Sequence, residues 1–267
     1  MSNQANLKLD DKEYTFDTIE GVENEKAVDF RTLRSVSGYI SYDEGYGNTG
    51  SCQSEITYID GEVGILRYRG IPIDQLAEKS DFIDSAYLII YGELPTEEQR
   101  ISFSKELIKN TNIDTRMIRQ FESFPAAAHP MSILTSMMGS LSSYYPELST
   151  NDRALDLENF DRSAASAISK VMTVAALSHR ISHGLPVNYP KKGFGFAENF
   201  LHLMFSNPHD EYHAPKEVAE ALDLILLLHA DHEQNCSTST VRMVASSGAN
   251  LFASITAGIC ALWGPLH

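Results

Sequence analysis

A chain of 267 residues, 43% of them hydrophobic, is long enough to bury a substantial core as one large domain or two small ones. Its formal net charge of −15 and the scatter of its Lys and Arg residues exclude a nucleic-acid-binding protein, while local arginines or histidines still allow a small anionic substrate. Three cysteines (Cys52, Cys236, Cys260) without disulfide or zinc spacing, no apolar signal core at the N-terminus and no 18-residue apolar run predict a cytoplasmic protein with no membrane segment.

The first seventy residues read as β-rich. Leu7 and Leu9, then Tyr14 and Phe16, alternate around Asp10-Asp11-Lys12 and predict a hairpin. Residues 43–54, with three glycines, read as a loop. A second hairpin is expected from Ile56–Ile59 and Ile65–Tyr68, turning at Asp60-Gly61. Hairpins this small are marginal alone and need a larger body to lean on.

From Ile73 the pattern becomes helical. Phe82–Tyr91 stops at Gly92, and Thr96 with Gln99 offers a capping box for a helix through Ile108. Further helices are expected over Ile113–Phe124, Ile133–Tyr145, Arg162–His183 (capped by Asp161), Phe200–Phe205 and a stretch opened by Pro215. Leu251–Trp263 should form the last helix, with Cys260 buried in it and Gly264-Pro265 stopping it. The expected fold is mainly α: a β-rich N-terminal segment (residues 1–70) and a helical large domain (residues 71–267).

Two places concentrate chemistry. The apolar run Leu222–Leu228 ends in His229-Ala230-Asp231-His232-Glu233-Gln234-Asn235, and the last helix delivers His267 beyond its Gly-Pro break. His229 and His232 would share one side of a helix that continued so far. With Glu233 they suggest a metal site, but the order is not His-Glu-x-x-His and no third ligand is evident; satisfied core histidines are the other reading. His267 could be a helix-end imidazole bonded to a carbonyl, or a hydrogen-bond donor in catalysis. The run Ser237–Thr240 lacks a nucleophile elbow, and no phosphate-binding glycine motif occurs.

Taken together, His229–Thr240, Ser246–Asn250, Leu262–His267, Ile56–Ile73, Tyr91–Thr96, His129-Pro130-Met131 and Phe200–Phe205 closely resemble citrate synthase of the bacterial type. The resemblance covers essentially the whole chain. It implies a mostly helical fold and condensation of oxaloacetate with acetyl-CoA, used as substrate, with no metal or other cofactor. It implies that His267 is catalytic, donating to the thioester oxygen as the enol forms, that His232 and Asn235 bind oxaloacetate, and that Ser237 and His229 support them. Members of the family continue well over a hundred residues past the histidine matched by His267, and the catalytic aspartate, a second oxaloacetate histidine and carboxylate-binding arginines lie there. The chain is thus expected to correspond to the large-domain portion, inactive alone, and to self-associate as a homodimer or larger through its small-residue helices. Within the family, 2-methylcitrate synthase, taking propionyl-CoA, is the alternative; outside it, a non-catalytic helical dimerisation module.

Overall fold

The computed structural model describes residues 3–150, 152–210 and 212–267. The chain packs as two compact units, Met1–Gln53 and Ser54–His267. In the first, β1 (Gln4–Leu9), β2 (Lys12–Glu20) and β3 (Lys26–Val28) form an antiparallel sheet in that order. Leu9 pairs with Lys12, so the turn is the two residues Asp10-Asp11, and Asp10 takes the left-handed conformation (φ 53°) that such a tight turn requires. Phe16 is buried edge-on to Phe30, 5.3 Å between ring centres, and the short α1 (Leu33–Ser37) ends at left-handed Gly38.

The second unit is the mainly α part. It opens with the second hairpin, β4 (Thr57–Asp60) and β5 (Ile65–Tyr68), extended by β6 (Ile71–Pro72). The unit boundary therefore lies ahead of this hairpin, which reading the sequence groups with the N-terminal segment. The reason is Tyr68: fully buried, it packs with Leu76, Leu88 and Leu227 of the helices that follow. The turn also differs from expectation. Asp60 pairs with Ile65, leaving the four residues 61–64 as the loop, because the Asp60 carboxylate accepts from Glu62 N and Val63 N and Gly64 supplies a positive φ.

The helices are α2 (Ile73–Lys79), α3 (Phe82–Tyr91), α4 (Glu97–Asn110), α5 (Thr115–Glu122), α6 (Pro130–Tyr144), α7 (Arg153–Glu158), α8 (Phe160–Ser182), α9 (Phe196–Phe205), α10 (Lys216–Leu228), α11 (Cys236–Ala245) and α12 (Leu251–Leu262). The Thr96–Gln99 capping box and the left-handed Gly92 end stand where the sequence puts them. Asp161 does not cap α8. Asn159 precedes the helix without capping it, its side-chain amide donating back to Leu155 O in α7, and Asp161 accepts from Tyr91 OH at 3.0 Å. Cys260 is exposed rather than buried, because α12 turns Phe252, Ser254, Gly258 and Ile259 inward.

The core lies between α5, α6, α8 and α12, with Met117, Phe121, Met137, Met138, Leu141, Val174, Leu177 and Phe252 packed together. The 23-residue α8 is its spine, and its alanines and serines let neighbouring helices approach closely. Its polar residues finish other helices. Ser169 Oγ donates to Leu107 O at 2.8 Å, Thr173 Oγ1 to Thr111 O at 2.6 Å, and Lys170 Nζ to the carbonyls of Asn110 and Asn112 at 2.8 and 3.2 Å. These groups meet the carbonyls that the end of α4 cannot satisfy internally, and the ammonium suits the negative end of that helix. Burial holds Lys170 down to about 8. Arg180, also fully buried, does the same for α9, donating to the carbonyls of Met204 and Ser206 at 2.9 and 2.8 Å.

α6 and α12 run antiparallel. Ser142 near the end of α6 donates to Asn250, the residue capping α12, and a Cβ on Gly139 would sit 3.5 Å from Thr256. Gly139 is thus used within the chain. Among the described residues, no helix is long and apolar enough to cross a membrane.

Candidate active site at the start of α11

α10 begins charged and becomes apolar toward its end, but only Leu227 is fully buried, and the helix ends at Leu228. His229 and His232 therefore do not share a helix face. The His229 ring folds back on its own helix, with Nδ1 2.8 Å from Ile225 O. A carbonyl can only accept, so this nitrogen carries a proton.

The turn that follows is held from beneath by the β4–β5 hairpin. Thr57 Oγ1 donates to Asp231 at 2.5 Å, and Ile59 N donates to the Glu233 carboxylate at 2.7 Å. Buried Tyr68 OH lies 3.2, 3.1 and 3.2 Å from the carbonyls of Leu227, Leu228 and Asp231. Glu233 is left-handed (φ 56°), a costly conformation for a residue with a Cβ, and its bond to Ile59 offsets that cost. Both carboxylates of the signature segment are thus engaged in shaping the turn. Among the described residues, no three His, Cys, Asp or Glu side chains converge as metal ligands. His232 is carried on this braced turn and is exposed. Sequence reasoning missed Thr57, Ile59 and Tyr68; they lie more than 150 residues from the segment they hold, and nothing local signals the pairing.

Asn235 opens α11: its Oδ1 accepts from Thr238 N at 2.9 Å, and its Nδ2 lies 3.5 Å from His232 O. Two residues on, Ser237 meets His267. The His267 Nε2 is 2.7 Å from Ser237 Oγ and receives the Ser237 backbone N–H at 3.3 Å. An amide can only donate, so Nε2 presents its lone pair to the partially positive start of the helix, and the neutral ring carries its proton on Nδ1. The hydroxyl also lies 2.9 Å from Gly258 O, and its single proton is shared between that carbonyl and Nε2, tying the pair to α12. His267 N closes a turn onto Gly264 O at 3.0 Å, so the Gly-Pro break fixes the backbone that carries the ring. The structure thus brings Asn235, Ser237 and His267 to one helix start, with His232 in the turn leading into it. His229 is bonded to the end of α10 instead. A loosely held carbonyl contact, the plain structural fate of a helix-end imidazole, is not what His267 has.

The family model for the citrate synthase C-terminal domain matches residues 45–267. The chain belongs to the citrate synthase family. Among solved structures, citrate synthase from Pyrobaculum aerophilum is 32% identical with a TM-score of 0.75, covering 84% of this chain and 55% of that one. Citrate synthase from Thermotoga maritima is 28% identical with a TM-score of 0.73, covering 85% and 57%. The Thermoplasma acidophilum citrate synthase, solved as a ternary complex with carboxymethyl coenzyme A and oxaloacetate, is 25% identical with a TM-score of 0.77, again covering 85% and 57%. This citrate synthase family chain spans little more than half the length of those relatives.

Proposed function

We propose that the protein catalyses the condensation of acetyl-CoA with oxaloacetate. In that reaction a base takes a proton from the acetyl methyl group, and the resulting carbon nucleophile attacks the oxaloacetate carbonyl carbon. Water then cleaves the thioester, giving citrate and CoA. Negative charge builds on the thioester oxygen as the methyl proton leaves, and a pre-aimed donor there lowers the barrier. The observation that carries this reading is the Ser237–His267 pair: with Nε2 occupied as an acceptor, Nδ1–H is the donor left for that oxygen.

His232, on the braced turn, is the donor toward oxaloacetate. Asn235 has its Oδ1 committed to the helix cap, so Nδ2 is the atom it offers to substrate. Ser237 positions His267, and His229 supports the turn at the end of α10. The base that removes the methyl proton is assigned to no residue of these 267, so the chain by itself should not turn over. No metal or further cofactor is required by these steps. Thiol release from acetyl-CoA, dependent on oxaloacetate and measured with the protein as its gene encodes it, tests the reading. Preference for propionyl-CoA, or no oxaloacetate-dependent release, would overturn it.

Self-association and a cytoplasmic location complete the proposal. Gly139 of α6 is spent against α12 and Gly258 of α12 against α11, and exposed apolar side chains that a second copy could cover include Val218, Leu224 and Ile225 on α10 with Leu262 and Leu266 at and after the end of α12. Light scattering of the chain over a concentration series should give a mass above 29.7 kDa; a constant monomer mass would refute self-association.

A further inference from the structure

His129 and Trp263 are 134 positions apart and stack face to face, with ring centres 5.0 Å apart and planes 22° from parallel. Each sits at a helix terminus. His129 precedes α6 and its Nδ1 accepts from Met131 N at 3.2 Å, so the imidazole is the cap of that helix and its orientation is set by the bond. Trp263 closes α12, its N–H still donating to Ile259 O at 3.2 Å. Four residues later comes His267.

The antiparallel pairing of α6 and α12 explains the meeting. At one end Ser142 touches Asn250, in the middle Gly139 approaches Thr256, and at the other end His129 reaches Trp263. Around that last contact the side chains are open to solvent: Leu262 and Trp263 are about half exposed and Leu266 is fully exposed. The His267 ring depends on the direction in which α12 delivers the Gly264–Leu266 turn. An error of an ångström there moves Nε2 out of reach of Ser237.

We propose that His129 is a positioning residue for His267, acting through Trp263. The imidazole has two separable tasks. Its Nδ1 fixes the start of α6, and its face fixes the end of α12. The stack transmits the position of the core helix α6 to the turn that carries His267 and so sustains the Ser237–His267 pair. Its catalytic consequence rests on the citrate synthase reading above; its structural consequence does not.

The two tasks can be split by substitution. His129→Asn keeps an oxygen acceptor for the α6 cap and removes the ring. His129→Phe keeps a ring for the stack and removes the cap. Trp263→Ala breaks the stack with His129 intact and serves if a His129 variant fails to fold. Trp263 is the single tryptophan of the chain, so its fluorescence reports the stack directly. The 15N shifts of the His267 ring report whether Nδ1 or Nε2 holds the proton.

In His129→Asn the tryptophan emission should shift to the red and become more open to an added quencher. In both His129→Asn and Trp263→Ala, His267 should lose its preference for the Nδ1-protonated form, while His129→Phe should retain it. With the gene-encoded protein, His129→Asn should lower kcat by roughly 10-fold to 10²-fold, as a displacement of about an ångström does, with the KM for oxaloacetate little changed and His129→Phe restoring most of the rate. The proposal fails if His129→Asn and Trp263→Ala leave the His267 signature as in the wild type, or if His129→Phe disturbs it as much as His129→Asn. Because fluorescence and ring shifts need no substrate, absence of citrate formation with the expected spectra would sink the function and leave the positioning role standing.

Discussion

Gly258 brings α12 so close to α11 that a Cβ on it would lie 2.6 Å from Val241 Cγ2 and 3.4 Å from Ser237 O. The same residue's carbonyl accepts from Ser237 Oγ. The close approach of two helices therefore sets the height of the hydroxyl that meets His267. Gly258→Ala must move Val241 or separate the helices, and overpacking of this kind costs about 1–3 kcal/mol. Chemical denaturation should show that loss, and the NMR signals of Ser237 and His267 should shift with it. An unchanged midpoint would mean that Val241 simply rotates aside.

His267 and His232 should fail differently when removed. His267→Ala, in the protein as encoded, should reduce kcat roughly 10²- to 10³-fold, the scale of losing one donor to a developing oxyanion, and leave oxaloacetate binding nearly intact. His232→Ala should weaken oxaloacetate binding first. Steady-state kinetics combined with calorimetric titration of oxaloacetate separates the two, and identical defects would contradict the division of roles.

Lys170 gives a pH-dependent signature. Burial lowers it from 10.5 to about 8 in the folded protein, so above pH 8 the unfolded chain binds more protons than the folded one. Stability from this group is therefore flat below about pH 8 and rises as pH climbs toward 10.5. Relative to Lys170→Met, the wild type should gain on the order of 1–3 kcal/mol across that window. Urea midpoints for both proteins at pH 7.5, 8.5 and 9.5 would test it; parallel curves would show that the ammonium is better solvated than its surroundings suggest.

What could be read from the sequence follows the range of the forces involved. The Thr96–Gln99 box, Gly92 and the first hairpin are decisions made within a few residues, and they stand as expected, except that Lys12, expected in the turn, already pairs with Leu9. Asp60-Gly61 carries the same kind of local signal, yet the Asp60 side chain recruits two more residues into the turn. Placing His229 and His232 on one face required α10 to continue, and it stops at Leu228, where Tyr68 gathers the last carbonyls. The Ser237–His267 and His129–Trp263 pairs join residues 30 and 134 positions apart. Their types could be singled out from motifs; their contacts come only from how α6, α11 and α12 pack.

The row Ser169, Lys170 and Thr173 has a mechanical meaning. Apolar ridges between helices can slip by a turn at small cost, because one methyl group replaces another. Here a slip of α8 along α4 would take from the buried carbonyls of Asn110 and Thr111 the donors that α8 supplies, and would leave Leu107 O only the Thr111 hydroxyl. The two helices behave as a rack and its teeth: sliding is locked, and any rearrangement open to this bundle carries α4 and α8 as one block.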